Sequence, residues 1–130
     1  MKPLVIYFYP KDETAGCTAQ ACAFRDQYQD FLDAGAEVIG ISSDPPAAHD
    51  AFASHHRLPF LLLSDINGVF RKRIGVPGSM LGLLPGRVTY ILDKKGIVKY
   101  IFDSQLNVTK HISESLRILH SLSESSSVRS

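Results

Sequence analysis

The sequence predicts a three-layer α/β sandwich, a mixed central sheet with helices on both faces, and three observations predict it. Residues 4–9 form a short continuous apolar run of β-forming residues stopped by Pro10, the pattern of a strand buried on both faces. Apolar residues then recur at helical spacing between further β-type runs, so strands and helices alternate. Near the end, runs at 88–92 and 97–102 flank Asp93, Lys94, Lys95 and Gly96, which reads as an antiparallel hairpin closing on glycine.

After the first strand, residues 11–16 read as a loop. Cys17, Ala21, Phe24, Tyr28 and Phe31 recur at alternating steps of four and three, one face of a core-packed helix that ends near Gly35. Residues 37–41 are a second strand. Ser43, Asp44 and Pro45 supply a capping side chain and a proline near the first turn of a helix reaching about His56. Pro59 separates this helix from a third strand over 60–63, and residues 65–68 offer turn chemistry before a short basic helix over 69–74. The Gly/Pro-rich stretch 75–87 is a loop long enough to carry function. Ile112, Leu116, Leu119 and Leu122 mark a C-terminal amphipathic helix. One domain is expected over residues 1–122, with a Ser-rich disordered tail over 123–130.

Composition bounds the function. The chain has 130 residues, room for one core, and Lys plus Arg number 14 against 13 Asp plus Glu, a net charge of +1. No basic field exists to hold a nucleic acid, and no apolar run approaches the roughly 20 residues of a membrane span. No leader-like segment precedes the first apolar run. Two cysteines are too few for a disulfide framework, so a catalytic, metal-binding or merely buried pair is expected.

Position selects among these. Right-handed crossovers put strand ends and the following helix N-termini at one edge of the sheet, and Cys17 falls at such an end. Unpaired N–H groups and the helix dipole there favour a thiolate. Thiolate supply alone is a limited gain: moving a thiol from a pKa of about 8.5 to about 6 raises its thiolate fraction at pH 7 only ~30-fold. A fast nucleophile also needs fixed donors where charge develops. Thr14, three residues before Cys17, can direct a hydroxyl there, Arg87 can bring a permanent charge and several N–H donors, and Pro10 can shape and dry the pocket without a competing donor. Five residues of helix rise ~7.5 Å and turn ~140°, setting the Cα atoms of Cys17 and Cys22 about 8.7 Å apart. Disulfides seldom span more than about 7 Å, so a bridge between them requires the helix start to unwind.

Other readings are weaker. An iron–sulfur motif needs further cysteines, and a zinc site built from Cys17, Cys22 and His49, His55 or His56 lacks ligand-type spacing. These histidines read instead as a solvated helix end. A disulfide oxidoreductase lacks its C-x-x-C pair, and a non-enzymatic redox sensor keyed to Cys17 remains an alternative.

Pro10, Thr14 and Cys17 form P-x-x-x-T-x-x-C, which resembles the peroxidatic signature of peroxiredoxins. Cys22 within GCTAQACAFRD, with LPGRVTYILD over 84–93, is similar to the bacterioferritin-comigratory or peroxiredoxin Q branch, and the likeness runs over residues 2–122. The resemblance implies a thioredoxin-like fold with no metal or haem. It implies a peroxidatic Cys17 oxidised to sulfenic acid, a resolving Cys22, and a disulfide reduced by thioredoxin or a similar dithiol. Thr14 and Arg87 would hold thiolate and peroxide, and Pro10 would shield them. Hydrogen peroxide and organic hydroperoxides are the implied substrates. A monomer in a bacterial or cyanobacterial cytoplasm is expected, with a plastid as the alternative if a transit peptide has been removed. Two departures stand out. The additional N-terminal strands usual in the family are expected to be missing before Lys2, and Gln20 stands where many members have an acidic residue, with a modest effect expected.

Overall fold

The computed structural model describes residues 2–76 and 86–129, with side chains described as far as residue 122. The predicted loop over 75–87 falls largely on residues 77–85, outside the described residues. In chain order the elements are β1 (Leu4–Phe8), α1 (Ala15–Asp26), α2 (Tyr28–Asp33), β2 (Glu37–Ser42), α3 (Pro46–His56), β3 (Leu61–Ser64), a 3-10 turn (Ile66–Gly68), α4 (Val69–Ile74), β4 (Val88–Leu92), β5 (Val98–Asp103) and α5 (Lys110–Arg129). The sheet order is β3-β2-β1-β4-β5. β1 pairs parallel with β2 and β2 with β3, while β4 runs antiparallel to both β1 and β5, the mixed sheet expected from strand–helix alternation followed by a hairpin.

β1 is the central strand, so its successive side chains enter two opposite layers. Val5 and Tyr7 point to the main core, which also holds Phe24 of α1, Phe31 of α2, Phe52 of α3, and Ile112 and Leu119 of α5. Phe8, on the other face, stacks on Phe70 of α4 with ring centroids 6.1 Å apart. Helices thus cover both faces unequally. β3 lies at the sheet edge and leaves Leu61 and Leu63 exposed.

The single helix expected from Cys17 to Gly35 is broken. Gln27 leaves helical geometry (φ −110°, ψ 15°), and the break turns Tyr28 so that its hydroxyl donates to Glu37 while its ring lies 6.1 Å from Phe60. The expected stop at Gly35 holds: its φ of +79° lets the Ala36 N–H return to the Phe31 carbonyl at 2.9 Å. The cap expected for α3 is also different. Pro45 takes the N-cap position without a side-chain bond, and the Asp44 carboxylate instead accepts from Ser42 Oγ (2.7 Å) and the Asp12 N–H (2.8 Å). At the chain end, the helical backbone of α5 runs to Arg129.

Gly40 on β2 faces Tyr7 across the parallel register, and a Cβ there would lie 2.8 Å from Tyr7 Cζ and from Leu62 Cδ2. Gly40→Ala is therefore expected to cost about 1–3 kcal/mol by overpacking, measured by urea unfolding. A loss near zero would mean that the Tyr7 ring moves aside freely.

His111 at the start of α5 is fully buried. Its Nε2–H donates to the Ser104 carbonyl and its Nδ1 accepts from Thr89 Oγ1, each at 2.7 Å. Burial pushes this imidazole below its ordinary value, with Arg87 adding to the shift and the Ser104 carbonyl opposing it. A folded-state value below the unfolded one means that the unfolded chain binds the proton more readily. Stability from His111 is thus present above about pH 6.5 and is lost as pH falls below it. Urea unfolding at pH 7.5 and pH 5.5 is expected to show a larger acid loss in the wild type than in His111→Gln; equal losses would contradict this.

Candidate active site

The C-terminal end of β1 delivers the chain to one edge of the sheet. The Tyr9 N–H bonds the Ile41 carbonyl at 3.1 Å, half-buried Pro10 ends the pairing, and residues 11–14 turn into α1. Thr14 takes the N-cap position and its carbonyl accepts the Thr18 N–H at 2.8 Å. Cys17 sits in the first turn of α1, 1% exposed, where backbone N–H groups have no intrahelical acceptor. Cys22 is half-buried on the same helix, off the stripe of Cys17, Ala21 and Phe24, and both thiols are free.

Arg87 immediately precedes β4 and is 4% exposed. Its Nη1 donates to Gln20 Oε1 at 2.6 Å and its Nε to the Gln105 carbonyl at 3.2 Å. A Cβ on Gly16 would lie 2.9 Å from Arg87 Nη2, so only glycine lets the guanidinium press on the turn that carries Cys17. The two hydrogen-bond partners are neutral, so the positive charge beside Cys17 is not cancelled by them. Gln20, expected to matter little, is completely buried and fixes this guanidinium.

Thr14 lies in the same loop, but its hydroxyl donates to the Lys11 carbonyl at 2.8 Å and is exposed. A hydroxyl has one proton, so donation toward Cys17 requires it to rotate away from Lys11. Tyr7, beneath the loop, is fully buried with an unpartnered hydroxyl. Burial, then the negative charge of Cys17 and Asp12, holds it well above the ordinary phenol range, and it stays a neutral donor.

The histidines correct the expectation of a solvated helix end in part. His49 is 3% exposed: its Nδ1 meets Asp12 Oδ2 at 2.7 Å and its Nε2 donates to the Leu63 carbonyl at 3.1 Å. Tyr9 donates to Asp12 Oδ1 at 2.6 Å. The loop between Pro10 and Thr14 is thus bolted to α3 through Asp12. The i, i+3 spacing of His49 and Phe52 on one helix face was the signal for this burial. Asp12 gave none, because its partner is distant in sequence. Among the described residues, His/Cys/Asp/Glu groups able to converge on one point are Asp12, Asp44 and His49, and Glu13, His55 and His56; neither includes a cysteine.

The AhpC/TSA family pattern matches residues 1–101. The chain belongs to the AhpC/TSA family. Within that family it is 60% identical over 121 residues to the chloroplastic peroxiredoxin Q of Populus jackii, covering 93% of this chain and 57% of that protein. The Arabidopsis thaliana counterpart is 59% identical over 115 residues, covering 88% of this chain and 53% of that protein. The chain therefore spans a little over half the length of these relatives. Among solved structures, peroxidoxin BcpB from Mycobacterium tuberculosis superposes with a TM-score of 0.83 at 35% identity, covering 92% of this chain and 79% of that one. Xanthomonas campestris peroxiredoxin Q gives a TM-score of 0.83 at 32% identity, covering 92% of this chain and 78% of that one. This AhpC/TSA chain thus has the thioredoxin-like fold and falls in the bacterioferritin-comigratory, peroxiredoxin Q branch.

Proposed function

We propose that this chain is a thiol peroxidase that reduces hydrogen peroxide and organic hydroperoxides through Cys17 and Cys22. The observation that carries the reading is a buried cysteine in the first turn of α1, with the guanidinium of Arg87 fixed against that turn by neutral partners. The Cys17 thiolate attacks one peroxide oxygen and the O–O bond breaks. The other oxygen leaves with a proton as water or alcohol, and Cys17 becomes a sulfenic acid. Arg87 and the helix N–H groups stabilise charge as it passes to the departing oxygen, while Thr14, once its hydroxyl turns from the Lys11 carbonyl, and Tyr7, whose buried hydroxyl has no partner among the described residues, are further donors. Pro10 closes the site without adding a donor.

The Cys22 thiol then displaces hydroxide from the Cys17 sulfur, releasing water and forming a disulfide. Both cysteines lie within α1, so their helical separation of about 8.7 Å must shrink below about 7 Å. Oxidation accordingly unwinds the start of α1. Amide exchange over residues 17–25 is expected to speed up on oxidation, and unchanged protection would sink this step. A dithiol protein of the thioredoxin type completes the cycle, returning two electrons to the disulfide.

The chain acts as a monomer with no metal or haem in this chemistry. The chloroplastic relatives favour a plastid over a bacterial cytoplasm as its compartment; among the described residues no helix is long and apolar enough to cross a membrane. Steady-state assays with hydrogen peroxide and an alkyl hydroperoxide, with and without thioredoxin, test substrate and reductant together. Turnover that requires both peroxide and thioredoxin is expected, and peroxide-independent activity alone would overturn the reading.

A further inference from the structure

We propose that Glu13, His55 and His56 form a binding site for Zn²⁺ that fastens the loop before α1 to the end of α3. His55 Nδ1 lies 3.0 Å from Glu13 Oε2 and His56 Nε2 lies 2.8 Å from Glu13 Oε1. All three ligand groups offer atoms within 4.8 Å of one another. Tetrahedral zinc with bonds of about 2.0–2.1 Å sets neighbouring ligand atoms about 3.3–3.4 Å apart, so each imidazole nitrogen would draw back about half an ångström from its carboxylate oxygen, and the two nitrogens, now within 4.8 Å, would settle to the same spacing. Two imidazoles and one carboxylate are a zinc set with the fourth position left to water, whereas Mg²⁺ and Ca²⁺ favour oxygen throughout.

The donors are held from both sides. Glu13 has φ +62° and follows Asp12, whose backbone and side chain are tied to Asp44, Tyr9 and His49 at 2.6–2.8 Å. On α3, the His56 ring packs edge-on to Phe52 with centroids 5.2 Å apart and is only 18% exposed, while the His55 ring lies 4.2 Å from it. In the metal-free chain each carboxylate oxygen takes one imidazole N–H. Zinc would replace those protons and bond directly to the same three groups, so its affinity falls as acid returns the protons. Binding only the folded arrangement, the ion would stabilise the loop by mass action. Slower unwinding of α1 follows from that, and this consequence alone rests on the proposed peroxidase cycle.

The test uses the untagged chain carrying Cys17→Ser and Cys22→Ser, so that no thiolate competes for metal, with zinc titrated against a chromophoric chelator. One zinc per chain is expected, with binding weakened at least about tenfold by adding His56→Ala or Glu13→Gln. If the serine variant does not fold, the difference between the wild type and His56→Ala gives the same comparison. Zinc should also slow amide exchange over residues 11–16 in the parent and leave it unchanged in His56→Ala. No saturable binding, or equal binding in the parent and His56→Ala, would overturn the site. Neither arm requires peroxide turnover, so its failure is separable from failure of the proposed function.

Discussion

Cys17→Ser is expected to abolish peroxide consumption while leaving the fold intact, because the serine hydroxyl fills nearly the same buried volume but is not a nucleophile at neutral pH. Cys17 is 1% exposed and packs among Tyr7, Ala21 and Phe24, so the exchange disturbs the core little. Cys22→Ser has a different outcome. Its Cys17 is expected to accept one oxygen and stop as a sulfenic acid, so that the chain reacts once and does not cycle with thioredoxin. Stopped-flow measurement of peroxide loss separates the two: none for Cys17→Ser, and a single stoichiometric turnover for Cys22→Ser. Sustained turnover in Cys17→Ser would refute the role given to that residue.

Arg87→Ala is expected to slow sulfenic acid formation by about a hundredfold, the usual effect of removing one fixed donor from a developing oxyanion. The loss exceeds what charge at a distance would give, since the guanidinium presses on Gly16 and is held in place by Gln20 and the Gln105 carbonyl. The same substitution leaves Gln20 Oε1 buried without its donor, at a cost of about 1–3 kcal/mol. Arg87→Lys separates these effects: it restores charge but not the planar fork, so stability should recover more than rate. Rates measured on the Cys22→Ser background report the first chemical step alone. An unchanged rate in a folded Arg87→Ala chain would remove Arg87 from the mechanism.

The strands, the basic helix Val69–Ile74 and the hairpin were legible because each rests on a local pattern: an apolar run, a helical stripe, or a glycine-closed turn. The P-x-x-x-T-x-x-C spacing likewise carried the candidate site as far as Cys17 and Thr14. What stayed hidden depended on distant partners. Asp44 reads locally as a helix cap, yet it serves the Asp12 N–H, 32 residues away. Gln20 and Arg87 are 67 residues apart, and nothing in either neighbourhood states that one holds the other. His49 was misread for the same reason, since a histidine near a helix end looks solvated until Asp12 and the Leu63 carbonyl occupy its two nitrogens. The break at Gln27 was invisible because the apolar stripe continues through it.

The most direct test of the paired-cysteine cycle is a non-reduced peptide map of the wild-type chain after one equivalent of hydrogen peroxide. The expected product is an intrachain disulfide joining the peptides of Cys17 and Cys22, formed in step with peroxide loss. Peroxide consumed with both thiols still free, or with the bridge formed only between chains, would contradict it.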